Sequence, residues 1–290
     1  MTTPPTPQAP YQQAQQHPQQ NWAPAPTDLY TSPIPQRRAT LADALASEWT
    51  KIRSVRSTMW TLGIMIVLLL GIGLLSAVAV NASDSEIGST KVLSFGFFGV
   101  LLGSICVITL GVMTIATEYG TGMIRTTLTA CPSRARVLSA KAIVFFLLTF
   151  TITTVMTTLV AVLQTAILDG GTASGDDWLR ATVGVGLYIA TLGLLSLAVG
   201  ALIRHSAGAI TIMIAVVLLP LVLAMFMFSQ SLADVQQALF EYSIPSQLGG
   251  LYDASVSTSG PSGWEPLWIM IGVTAVTMIG AFASLESRDV

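Results

Sequence analysis

Residues 92–117, VLSFGFFGVLLGSICVITLGVMTIAT, run without a single Asp, Glu, Lys, Arg or His. A helix needs about 20 apolar residues to cross a hydrocarbon layer roughly 30 Å thick, and this run supplies them. Within it Gly99 and Gly103 stand four apart, a small-residue spacing that lets two helices approach closely. Five further stretches have the same character: 58–80, 142–168, 181–203, 207–229 and 266–285. A charge at the centre of a span costs about 2.5–3.5 kcal/mol on insertion scales, so the uncharged interiors support these bounds. Composition agrees, with 52% hydrophobic and 10% charged residues against about 25% charged in soluble domains. The chain of 290 residues reads as an all-α membrane protein with six transmembrane helices over 58–285.

The connections between the spans set its direction. Basic residues mark the cytoplasmic side of a membrane protein. Arg37, Arg38, Lys51, Arg53, Arg56, Arg125, Arg134, Arg136, Lys141, Arg204 and Arg288 fall on one side, and only Lys91 and Arg180 on the other. That other side collects acids, among them Asp84, Glu86, Asp169, Asp176 and Asp177. Both termini are therefore expected in the cytoplasm, in a multi-pass protein of the inner (plasma) membrane. The net charge of −2, with cations sorted by topology rather than gathered on a patch, gives no reason to expect nucleic acid as a partner.

Residues 1–36 are rich in Pro, Gln and Ala and bury too little to offset their ordering entropy, so a disordered tail is expected there. Over 37–57 the apolar residues Leu41, Leu45, Trp49, Ile52 and Val55 recur at helical spacing, with Asp43, Glu48, Lys51, Arg53 and Arg56 mostly off that stripe. This pattern predicts an amphipathic interfacial helix among lipid headgroups, with Trp49, Lys51, Arg53 and Arg56 as its interfacial residues. It serves either as a plain anchor or as an elbow that also touches a cytosolic partner. Residues 286–290 form a short cytoplasmic tail.

The connection 118–141, between the second and third spans, is long for a bundle, where about 2–8 residues are usual. Ile124 and Leu128 sit four apart on one helical face, and Pro132 ends that short helix. Between the fifth and sixth spans, 230–264 is too interrupted to cross. It reads either as a re-entrant hairpin before the last span or as an ordinary external loop.

Glu118, Gly122 four residues on, an apolar-basic helix, Pro132 followed by Arg134 and Arg136, and Lys141 opening the third span together resemble the coupling loop of permeases in the type-2 ABC exporter superfamily. Residues 47–57 are similar to the elbow segment of its actinobacterial members, and the resemblance covers about residues 40–285. It implies a permease subunit whose helix from Glu118 through Leu128 docks on a separate cytosolic ATPase. Glu118 and Arg125 would supply polar contacts there, Ile124 and Leu128 apolar anchors. It further implies a second permease copy or a sister permease beside the chain, and ATP with Mg on the partner rather than on this chain.

Other features narrow the classes. No Gly-x-x-x-x-Gly-Lys-Ser/Thr loop occurs in the sequence. No span carries the acid, base or His that ion-coupled carriers keep at mid-membrane. His17 and His205 are the only histidines, and Cys106 and Cys131 the only cysteines, so neither a metal site nor a catalytic residue is expected. Thr151, Thr154 and Thr158, with Gln164 nearby, form a hydroxyl-bearing stripe on the third span. Such groups either line a substrate path or bond back to their own helix. A non-transporting scaffold or sensor and a secondary carrier or channel stand as alternatives, and the substrate is not legible.

Overall fold

The computed structural model describes residues 39–83, 92–168, 173–254 and 259–287. The expected tail 1–36, the loop cations Arg37, Arg38, Lys91 and Arg288, and the loop acids Asp84, Glu86 and Asp169 lie outside them. The regular structure of the described residues is entirely helical, and six of the helices are long and apolar enough to cross a membrane.

The first helix, α1 (Leu41–Ser54), starts where Thr40 and Asp43 make a reciprocal capping box, which satisfies two orphan donors of the first turn. The helical part of 37–57 is thus set by a cap at Thr40. Lys51 and Arg53 in the last turn complement the helix dipole. One extended residue, Val55, separates α1 from α2 (Arg56–Ala82). After a short 3-10 turn, α3 (Phe97–Gly120) follows, then the small α4 (Met123–Ala130) and the long α5 (Arg134–Ile167). Ser133 caps α5 by accepting from the Arg136 N–H. This third spanning helix therefore begins two turns before the apolar run at 142.

The fourth span also starts earlier than the hydropathy boundary at 181. Ser174 and Asp177 form a second capping box at α6 (Gly175–Leu179), which passes through one π-helical turn, Arg180–Gly184, into α7 (Val185–Ile203). The extra turns can hold charge because Arg180 is paired with Asp176 at 2.8 Å and Asp177 at 2.6 Å. Next, α8 (Ser206–Phe226) is capped by His205, whose ring accepts from the Gly208 N–H, and contains Pro220. Two short helices, α9 (Ala233–Glu241) and α10 (Ile244–Leu251), precede α11 (Glu265–Ser287).

Helix α7 is the axis of the bundle. It packs against α3, α5, α8 and α11, while α2 closes on α3 and α5. Tyr188, Leu192 and Leu197 of α7 are fully buried. Backbone approaches backbone closely between α3 and α7: a Cβ built on Gly111 would stand 2.5 Å from the Gly193 carbonyl oxygen. The Gly99 and Gly103 pair lies instead against Leu69 of α2. Peripheral helices leave large apolar side chains exposed, such as Val67 and Leu75 on α2, Phe226 on α8 and Val276 on α11. A soluble monomer rarely tolerates so much contiguous apolar surface, and hydrocarbon removes the penalty.

Helix α10 is buried along most of its length and packs on α3, α7, α8 and α11, whereas α9 contacts α8. At the opposite end of the bundle, which carries α1 and α4, two arginines close the last helix. Arg134 donates to the Leu285 carbonyl at 2.8 Å and Arg204 to that of Ser284 at 3.4 Å. Cations at a helix C-terminus satisfy its orphan carbonyls and suit its dipole.

Candidate functional site

Where α1, α3 and α5 meet, four charges are gathered. Lys141, with a side chain wholly removed from solvent, donates to Glu48 Oε2 at 2.9 Å, Glu118 Oε1 at 2.6 Å and the Thr114 carbonyl at 3.3 Å. Lys51 donates to Glu48 Oε1 at 2.8 Å and to the same Glu118 Oε1 at 2.8 Å. Two carboxylates and two ammoniums make the group neutral. Each Glu48 oxygen takes one lysine, and one Glu118 oxygen takes both. Desolvating such ions costs several kcal/mol each and is offset only by close pairing of this kind. All three of Lys141's donors are used, so α5 is tied at one point to both α1 and α3.

The sequence stripe on α1 concealed this. Glu48 lies three residues after Leu45 and four before Ile52, so it belongs to the helical face of Leu41, Leu45, Ile52 and Val55. An acid within an apolar stripe is the signal that identifies it. The face buries Glu48, while Leu41, Trp49 and Val55 stay partly exposed. Lys51, grouped by sequence with Arg53 and Arg56 as an interfacial cation, is drawn into the network, whereas those two arginines are exposed. Arg136 adds a further tie, donating to the Ala39 carbonyl at 2.7 Å.

Burial alone would lower the pKa of Lys51, but its bonds to Glu118 and Glu48 outweigh that and hold it above the ordinary lysine value of 10.5. A cation with a raised folded pKa stabilises fully below its ordinary value and loses that contribution as pH climbs through the raised one. The melting temperature in detergent is therefore expected to show no Lys51 step from about pH 7 to 9 and a fall above about pH 10.5. Lys51→Gln should remove that alkaline step, and an unchanged alkaline profile would contradict the assignment.

The segment 118–128 is not one continuous helix. Glu118 lies in the last turn of α3, and the chain turns at Thr121 and Gly122, whose φ of 72° suits glycine because an L side chain is strained there. Helix α4 then hangs between this turn and Cys131–Pro132. Of the five residues expected to couple to a partner, Glu118 and Ile124 are buried, Leu128 is half-buried, and Gly122 and Arg125 are exposed. Met123 and Thr126 join Arg125 on the exposed side.

The hydroxyl stripe of the third span divides. Thr158 bonds back to the Thr154 carbonyl at 2.7 Å. Thr151 and Thr158 lie on the exposed face of α5, while Thr154 is half-buried. Gln164 is turned inward, donating to the Gly73 carbonyl of α2 at 2.8 Å. The four residues do not line one common surface within this chain.

No curated protein matches the chain. The profile described as ABC-2 family transporter protein matches residues 44–229, from within α1 through the end of the fifth span. That stretch holds all four charges of the network together with α4, and it covers more than half of the sequence. With six membrane-length helices and this match, the chain belongs to the ABC-2 family of transporter membrane proteins.

Proposed function

We propose that this chain is the permease subunit of an ATP-driven exporter of the plasma membrane, with both termini in the cytoplasm and α1 lying as an elbow helix at the inner headgroups. The connection 118–141 couples it to a separate cytosolic ATPase that binds ATP and Mg. A second permease copy or a sister permease completes the pathway. The observation that carries this reading is the suspension of α4 between two breaks, directly beside the Glu48–Lys51–Glu118–Lys141 network.

A force applied to the exposed side of α4 reaches Ile124, which is buried, and the short turn at Gly122 passes it to Glu118. Buried charges paired at 2.6–2.9 Å hold their helices to one another, so α1, α3 and α5 respond together. In this scheme Glu118 and Ile124 act inside the permease, and the partner meets Met123, Arg125 and Thr126. The buried α10 supports reading 230–264 as a re-entrant cap on the outer mouth. Thr151 and Thr158, on the exposed face of α5, would contribute to a substrate path only at a seam with the second permease. An amphiphile such as a lipid or hydrophobic drug suits such walls.

The test separates contact from folding. Met123→Glu with Arg125→Glu alters exposed positions only, so the melting temperature of the chain should stay within about 1 °C, as surface changes cost at most ~0.5 kcal/mol. Co-purification of a nucleotide-hydrolysing subunit should fall at least about tenfold, corresponding to loss of ~1.4 kcal/mol. Undiminished recovery of that subunit from the double variant would end the coupling model.

A further inference from the structure

At the joint between α1 and α2 lies an open groove of about 240 Å³, lined by Arg53, Ser54, Arg56, Met59 and Trp60. Both arginines are exposed, and neither guanidinium has a partner among the described residues. The acids of α1 are engaged elsewhere, Asp43 in the capping box with Thr40 and Glu48 on Lys51 and Lys141. The groove therefore carries two uncompensated positive charges. Its other wall is apolar, with Met59 50% and Trp60 74% exposed. From Trp60 that apolar surface continues along α2 through Ile64, Val67, Leu75 and Val78, all exposed and at helical spacing.

An occupant must match both halves, with negative charge for the arginines and hydrocarbon for a membrane-length helix. A soluble anion meets only the first need. A zwitterionic lipid brings a further cation beside the two already present. Guanidiniums bind phosphate oxygens through paired N–H donors, and an indole ring is favoured at the headgroup level. We infer that this groove holds the headgroup of a net-anionic phospholipid of the inner leaflet. Its phosphate sits on Arg53 and Arg56, and an acyl chain runs along Trp60, Ile64 and Val67. The lipid thereby bridges the end of α1 and the start of α2 across the single extended residue Val55. The inference rests on the placement of α1 at the inner headgroups proposed above, and it does not involve the ATPase.

The delipidated full chain in detergent is titrated with phosphatidylglycerol, phosphatidylcholine and water-soluble glycerophosphoglycerol, with binding read by native mass spectrometry. Phosphatidylglycerol should bind roughly thirtyfold more tightly than phosphatidylcholine, since each cation near an anionic headgroup is worth about a factor of five. Arg53→Gln with Arg56→Gln should abolish that preference. Arg53→Lys with Arg56→Lys keeps both charges and should retain most of it. All four changes fall on exposed side chains without partners, so the melting temperature of the lipid-free chain should stay within about 1 °C. Trp60→Ala should weaken both lipids alike. Equal binding of the two lipids, or an unaltered preference in the first double variant, would overturn the assignment. So would a loss of co-purifying ATPase in that variant with lipid binding unchanged. Soluble headgroup binding as tightly as the whole lipid would overturn the part played by the acyl chain. The placement of α1 is checked separately by Thr50→Cys, an exposed position outside the groove, combined with Cys106→Ala and Cys131→Ala. An impermeant maleimide should label it in inside-out vesicles and not in intact cells. Labelling from outside would refute the placement and this inference together, whereas labelling from inside without an anionic preference would refute this inference alone.

Discussion

Lys141→Met is expected to destabilise the folded chain by about 3–5 kcal/mol, the range for removing one partner from a buried ion pair. Lys141 donates to both Glu48 and Glu118 from a fully buried position. Without it the two carboxylates share Lys51 alone, and the Thr114 carbonyl loses its donor. Lys141→Arg should also be harmful, because a planar fork cannot direct three donors toward acceptors on α1 and α3 as an ammonium does. The diagnostic result is partial rescue. Adding Glu48→Gln to Lys141→Met restores charge balance, and the double variant should melt higher than the single one. Thermal unfolding in detergent measures this, and strictly additive losses would show that the residues do not act as one network. A second readout tests the proposed coupling: the rescued variant should fold yet lose most of its stimulation of the partner ATPase, because the charge pairing of α5 with α1 is gone and only the Arg136–Ala39 hydrogen bond remains.

Gly111→Val carries the other large effect. A Cβ at this position would meet the Gly193 carbonyl oxygen at 2.5 Å and Ser196 Cβ at 3.0 Å. Neither contact is the tip of a flexible side chain, so α3 and α7 must move apart. Overpacking of this kind costs up to about 3 kcal/mol, occasionally more, and α7 is the helix against which most of the bundle is assembled. We expect little accumulation of folded protein, visible as loss of the monodisperse peak in detergent. The control is Gly272→Val on α11, where nothing lies within 4 Å of an added Cβ; it should accumulate normally. Equal behaviour of the two variants would mean that the α3–α7 crossing does not limit stability.

The sequence showed the spans well because each consists of some 20 residues of one solvent preference, and hydropathy is a property of the local chain. The helices themselves run beyond those apolar stretches. Helix α5 runs from Arg134 and α6 from Gly175, where caps and ion pairs, rather than hydropathy, set the start. The small-residue pair Gly99 and Gly103 was visible as a spacing, but the closer crossing at Gly111 and Gly193 joins residues far apart in the chain. Loop 118–141 stood out by its length and its resemblance to a coupling loop. What could not be read there was direction: Glu118 and Arg125 looked alike as polar residues, yet one is buried and the other exposed.

From the residues alone came six membrane-length helices and a short helix in the long connection after the second. Those depend on how each segment partitions between water and hydrocarbon, which neighbouring residues decide. Only the tertiary structure joined Glu48, Lys51, Glu118 and Lys141, drawn from three helices and spread over 94 positions of the chain. Pairing between distant charges depends on how helices cross, and that is fixed by side-chain packing across the whole bundle rather than by any local pattern.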